Sequence, residues 1–150
     1  SLILEGSGSV ELAGFTLEFS GDCISLKGSG AVNVSTAGST IGYANPNVVE
    51  QCVTGMVYNN LYTDGPSGST KYLLGNITIN GNLNLQSAGG SGAVFDSRAL
   101  GTSTDYDISI QGNWSSDITF LPRTGTVTFN GTAQQTLNTS GGETFNNNYI

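Results

Sequence analysis

Short runs of alternating apolar and polar residues, closed by glycine after only seven or eight positions, limit the possible folds of this chain more than any other feature. Val10 and Leu12, then Phe15, Leu17 and Phe19, then Ile24 and Leu26, then Val32 and Val34 recur two apart. Downstream, Ile77 and Ile79, Leu83 and Leu85, Ile108 and Ile110, Ile118 and Phe120, and Val127 and Phe129 repeat the pattern. Period two sends successive side chains to opposite faces of a strand. The apolar members therefore point inward, and their Ser, Thr, Asn and Glu neighbours point out. The β-branched and aromatic content agrees with this. The chain reads as all-β.

Strand length narrows the choice. Gly6, Gly14, Gly21 and Gly28 close four consecutive runs. Strands that short span a ~10 Å sandwich poorly, but they suit the sides of a coil in which each side stacks on the one a turn away. Three arms make a rung of roughly 21 to 24 residues, inside the period range of repeat proteins. A second repeat points the same way. Ile77-Thr78-Ile79-Asn80-Gly81-Asn82-Leu83 matches Ile108-Ser109-Ile110-Gln111-Gly112-Asn113-Trp114 position by position, and Val127-Thr128-Phe129-Asn130-Gly131-Thr132-Ala133 is a weaker third copy. The copies are unequally spaced, as loops of variable length on a regular coil would make them. The alternative is an antiparallel β-sandwich whose hairpin turns carry the amide-glycine pairs. Either way, 150 residues form one domain, 1–150.

One tract interrupts the alternation. Between Asn45 and Tyr62, the residues Val48, Val49, Cys52, Val53, Met56 and Val57 fall on a helical stripe, with Asn45 as N-cap and Pro46 at the first helical position. The spacing predicts a short helix or a loop insertion near 45–62, although Gly55 and the valines oppose a helix. Asp64-Gly65-Pro66 marks a turn on exit.

The second half of the chain, Leu74 to Ile150, resembles the repeats of very long secreted surface proteins of the Bacteroidetes, of the adhesin-like and gliding-associated kind. The resemblance rests on Asn76-Ile77-Thr78-Ile79-Asn80-Gly81-Asn82-Leu83 and on Tyr106-Asp107-Ile108-Ser109-Ile110-Gln111-Gly112-Asn113-Trp114. It extends to Arg123-Thr124-Gly125-Thr126-Val127-Thr128-Phe129-Asn130-Gly131 and Glu143-Thr144-Phe145-Asn146-Asn147. It implies a right-handed parallel β-helix displayed as a stalk or fibre on the cell surface. The tract 45–62 departs from the family's pattern.

Charge sets the partners. Charged residues make up 10% of the chain and the net charge is −7, so solubility rests on hydroxyls and amides, a habit of extracellular proteins. The four basic residues, Lys27, Lys71, Arg98 and Arg123, are scattered along the sequence and offer no patch for a phosphate backbone or an anionic membrane. No apolar run reaches the ~20 residues of a spanning helix. The expected partners are neighbouring repeats or subunits stacked through the ends of the coil, and surface carbohydrate. Both ends, Ser1-Leu2-Ile3-Leu4 and Glu143 to Ile150, read as strand without a polar cap, so both are expected to continue into further rungs.

Histidine is absent, which removes the usual general base and the commonest metal ligand. No cofactor or metal and no catalytic residue is assigned. The enzymatic alternative is a polysaccharide hydrolase or lyase using paired carboxylates about 5 to 10 Å apart, for which Asp105 and Asp107 with Asp96 or Asp117 are the candidates. Read plainly, the same acids form a solvated face. None of them lies in an EF-hand or glycine-rich calcium repeat. Thr102-Ser103-Thr104 and Thr126-Val127-Thr128 are two unaligned Thr-x-Thr motifs, too few for an ice-binding array. Sequons stand at Asn33, Asn76, Asn113, Asn130 and Asn138. Trp114 occupies an inward position of the repeat, whereas Tyr43, Tyr58, Tyr62, Tyr72 and Tyr106 are candidates to stack on sugar rings. Cys23 and Cys52 read as a disulfide joining arms one rung plus an insertion apart, or as two buried small hydrophobes. The functional expectation is a secreted or cell-surface structural and adhesive module without catalysis. A fibre subunit that binds itself is the third reading.

Overall fold

The computed structural model describes residues 9–12, 14–23, 31–33, 36–47, 49–89, 92–140 and 142–149. Among them there are strands and no helix, and the strands stack as a β-solenoid of about five turns. The first face stacks Thr16–Phe19, Thr40–Ala44, Asn60–Asp64, Leu83–Leu85, Trp114–Ser116 and Leu137–Thr139. The second stacks Glu50–Val53, Thr70–Leu73, Val94–Asp96 and Thr119–Leu121. The third stacks Val57–Tyr58, Ile77–Ile79, Ile108–Ile110, Thr126–Phe129 and Asn147–Tyr149. Ser9–Glu11 and Ala31–Asn33 form a separate parallel pair. Every strand pairing on the three faces is parallel, which excludes the antiparallel sandwich.

The repeat read from the sequence is the passage from the third face to the first. Ile77, Ile108 and Val127 stack in register, as do Ile79, Ile110 and Phe129. Ile77, Ile79, Ile108, Ile110 and Val127 are buried, and Phe129 is half-buried against the same core. Thr78, Ser109 and Thr128 point the other way but are half-buried, not fully exposed, because each is flanked by its counterparts in adjacent rungs. The glycine that follows is dictated by the corner. A Cβ on Gly112 would collide with the carbonyl of Gly81, and one on Gly131 with the carbonyl of Gln111. Only glycine lets the chain turn at ordinary rung spacing here. Trp114 then fills the centre of the core, fully buried, edge-on to Phe120 at 5.0 Å and to Phe145 at 5.5 Å between ring centroids.

The tract 45–62 is not helical. It contains the strands Glu50–Val53 and Val57–Tyr58 and the beginning of Asn60–Asp64. The apparent stripe arises because the corner at Thr54-Gly55 resets the phase of the alternation between two short strands. A helix would have buried Val49 and Val57 together with Cys52 and Val53, yet those two valines are 62% and 47% exposed. Asn45 does cap a backbone amide, that of Asn47 at 2.8 Å, but in a turn of the kind short Asn side chains favour. Val48 lies outside the described residues, as do Ile24, Leu26, Lys27, Val34 and both chain termini.

Candidate functional site

Four sets of side chains carry chemistry on this coil, and most of them are engaged in joining one rung to the next. Asparagines form a ladder at the corner between the third and first faces. Asn60 Oδ1 accepts the backbone amide of Asn82 at 2.9 Å, Asn82 Oδ1 that of Asn113 at 2.9 Å, and Asn113 Oδ1 that of Thr136 at 2.8 Å. These steps cover 22, 31 and 23 residues, so the ladder holds its place while rung length varies. Asn76 is used alike, accepting from the amide of Asp107 at 3.0 Å. Among the sequons, then, Asn76 and Asn113 have their carboxamide oxygens engaged, Asn130 and Asn138 are exposed, and the side chain of Asn33 lies outside the description.

The four candidate acids behave in the same manner. Asp107 Oδ1 accepts the amide of Thr126 at 2.8 Å, and Asp117 Oδ1 that of Ser87 at 3.1 Å. Asp105 and Asp96 belong to an excursion that leaves the coil after Val94–Asp96 and returns before Ile108–Ile110, closed by an antiparallel bridge between Arg98 and Asp105. Arg98 donates to both oxygens of Asp105, at 2.7 and 3.2 Å. Arg123, from the next rung, donates to both oxygens of Asp96, at 2.9 and 2.6 Å. Thr124 adds its amide and hydroxyl to Asp105. The bonds from Arg98 and Thr124 hold the Asp105 carboxyl well below the usual carboxylate range. Two arginines that look scattered in the sequence thus meet across rungs in two forked ion pairs. The fork from Arg98 and the two bonds from Thr124 together pin the excursion to the next rung.

A third set is buried, and sequence reasoning missed it. Lys71, 2% exposed, donates to Gln51 Oε1 at 2.9 Å, and Gln51, fully buried, donates in turn to the carbonyls of Phe19 at 2.8 Å and Gly21 at 2.7 Å. Burial lowers the Lys71 ammonium to a pKa of about 8, against a smaller opposing pull from Asp64. Ser69 and Thr63 are buried at the same corner, and the Thr63 hydroxyl has no hydrogen-bond partner. Gln51 and Lys71 are adjacent-rung partners, but they lie twenty residues apart in a sequence whose rungs vary in length.

The fourth set lies outside. A groove of about 670 Å³ runs along the corner between the first and second faces. Its lining includes Glu18, Pro46, Tyr62, Asp64, Pro66 and Gln86. The Tyr62 ring lies against Gly42 in the neighbouring rung, where any Cβ would enter the ring, and its hydroxyl donates to the Glu18 carboxylate. Burial, then that bond, raises the Tyr62 phenol to about 12. Asp64 Oδ1 accepts the amides of Gly65 at 2.7 Å and Ala88 at 2.6 Å.

The remaining aromatic candidates divide. Trp114 is core. Tyr43 and Tyr58 are also core, with hydroxyls 3.1 Å apart. Tyr72 and Tyr106 are half-buried, Tyr72 donating to Glu50 at 3.3 Å. Cys23 and Cys52 are parallel bridge partners joined by a disulfide, with Cα atoms 4.5 Å apart. The Thr-x-Thr motifs do not share a surface, because Thr102 to Thr104 lie in the excursion and Thr126 to Thr128 on the third face. Among the described residues no group of three or more acids and cysteines converges as a metal site, and no helix is long and apolar enough to cross a membrane. Compared with protein-family models, with curated proteins and with solved structures, the chain matches none.

Proposed function

We propose that the chain is a structural and adhesive module of the cell exterior, a stiff segment that holds a binding surface away from its attachment point, without catalysis. The observation that carries this reading is the use of its acids. Asp96, Asp105, Asp107 and Asp117 each bond to an arginine or a backbone amide of the adjacent rung, and all four thereby tie consecutive rungs. The low charge content, the hydroxyl- and amide-rich surface and the resemblance of Leu74 to Ile150 to secreted surface repeats support an extracellular setting, as does the Cys23–Cys52 disulfide. Antibodies raised against the chain should label intact, unpermeabilised cells that produce it, and the purified protein should release no reducing ends from polysaccharides. Product release that disappears in Asp105→Asn or Asp107→Asn would replace this reading with the enzymatic one.

Self-assembly is a second reading with its own support. A hollow of about 400 Å³ lined by Phe129, Leu137 and Phe145 opens at one end of the described coil, with Leu137 50% exposed. Apolar surface gathered in this way favours burial against more protein. Sedimentation should show concentration-dependent association that Leu137→Glu weakens. An unchanged monomer at all concentrations would count against assembly.

A further inference from the structure

We propose that the groove at the corner of the first and second faces binds a neutral saccharide chain. The inference deepens the adhesive reading above and rests on it, naming the ligand class of that surface.

Three observations converge. The groove is built across rungs: Glu18, Tyr62 and Gln86 come from the first, third and fourth of four successive turns, so the surface exists only because the coil stacks them. Its walls combine an aromatic ring with two proline rings, Pro46 and Pro66, which offer flat apolar surface to the C–H faces of a pyranose. Tyr62 is held for that role. Gly42 leaves the space in which its ring lies, and the bond to Glu18 fixes its far end. A ring already held in one orientation loses little side-chain freedom when a ligand arrives.

The polar groups select hydroxyls. Glu18, Asp64 and Gln86 supply oxygen acceptors, while the backbone amides of Gly65 and Ala88 fix the Asp64 carboxylate through Oδ1, so that Oδ2 takes part in neither bond. Few convergent polar groups on a mostly apolar wall is the ordinary makeup of a small-molecule cleft, and about 670 Å³ lies within the usual range of roughly 300 to 1,000 Å³. The lining holds two carboxylates and no lysine or arginine. Lys71 sits behind the wall, buried against Gln51. An acidic polysaccharide would therefore be repelled, and a neutral one would not.

The test is a titration of the whole ¹⁵N-labelled chain, followed by NMR, with cellohexaose, xylohexaose and mannohexaose as neutral probes and hexagalacturonate and hexalysine as charged ones. Saturable shifts centred on Tyr62, Asp64 and Gln86 are expected with at least one neutral probe. Tyr62→Ala should weaken binding more than tenfold, while Tyr62→Phe and Tyr72→Ala should keep it within about threefold. Glu18→Gln, which keeps the shape of the site, guards against a folding defect in the alanine variant and should alter affinity without altering distant resonances. Absence of shifts with all three neutral probes would overturn the proposal, as would binding indifferent to Tyr62→Ala. Preference for hexalysine would overturn it in favour of a cationic peptide, and preference for hexagalacturonate would overturn it outright. None of these failures touches cell-surface labelling, which tests the structural reading separately.

Discussion

The second face of the coil changes character halfway along. Its inward column runs Gln51, Lys71, Phe95, Phe120, one residue per rung. Around Phe95 and Phe120 the interior is aromatic and closes on Trp114, Phe129 and Phe145. Around Gln51 and Lys71 it is polar, with Thr63 and Ser69 alongside. The same backbone geometry accommodates both, so stacking does not demand an apolar side chain at every inward position; Val53 and Leu73, two residues along the same strands, still bury apolar core in these rungs. What differs is the source of stability. The aromatic rungs gain from removing area from water, about 25 cal/mol per Å². The polar positions only avoid loss, because their buried groups must find partners.

Substitutions should separate the two regimes. The largest effect is expected at Ile108 in the apolar part. Ile108→Asp places an unpaired carboxylate in the core, should cost several kcal/mol, and should remove the cooperative thermal transition. Ser109→Asp, one residue on and half-buried among hydroxyls, should cost far less. Equal losses at both positions in thermal denaturation would break the inward-outward assignment.

Next comes the polar part. Gln51→Leu strips the Lys71 ammonium of its acceptor and the Phe19 and Gly21 carbonyls of their donor, at a cost of about 1–3 kcal/mol. Lys71→Met alone leaves Gln51 Oε1 without its partner. The double variant should cost less than the sum of the singles in urea unfolding, since neither buried partner is then left alone. Strict additivity would mean the pair is not coupled.

The polar part should also make stability depend on pH. Folded Lys71 releases its proton near 8, against 10.5 in the unfolded chain. Between those values the unfolded state binds more protons, so stability should rise as pH rises from about 8 towards 10, and should be flat in this group's contribution below 8. Above 10 the raised phenols of Tyr58 and Tyr62 act in the opposite direction, because the folded state then holds the protons. Lys71→Met should abolish the rise between 8 and 10. Persistence of the slope in that variant would assign it elsewhere.

The smallest effect belongs to the ladder. Asn113→Ala removes the acceptor for the Thr136 amide and should cost about 1 kcal/mol in urea unfolding, with faster amide exchange confined to that corner. A silent substitution would make the asparagines bystanders of the glycine turn.

The contrast also explains what the sequence did and did not reveal. Period-two alternation is a local signal, and Ile77, Ile79, Ile108 and Ile110 sit where it puts them. The recurring Asn after glycine, Asn82 and Asn113, was in plain view within the repeat, but its purpose becomes visible only once rungs are stacked. The tract 45–62 misled because a corner between two strands of four and two residues can imitate a helical stripe. The Gln51–Lys71 pair and the groove of Glu18, Tyr62 and Gln86 were hidden for a common reason. Each joins residues one or two rungs apart, and rung length here shifts with every loop, the excursion before Asp105 above all. No fixed spacing could point to them.

The central claim is the parallel stacking of rungs in register, and paired cysteines test it most directly. Thr78 and Ser109 are register partners on the third face. Thr78→Cys with Ser109→Cys should therefore form a disulfide on mild oxidation, identified by peptide mapping beside the native Cys23–Cys52 link. Thr78→Cys with Ile110→Cys, whose side chains point to opposite sides of the sheet, should not. Bonding of the first pair alone is the result this structure predicts. Failure of the first pair, or equal bonding of both, would contradict the solenoid register.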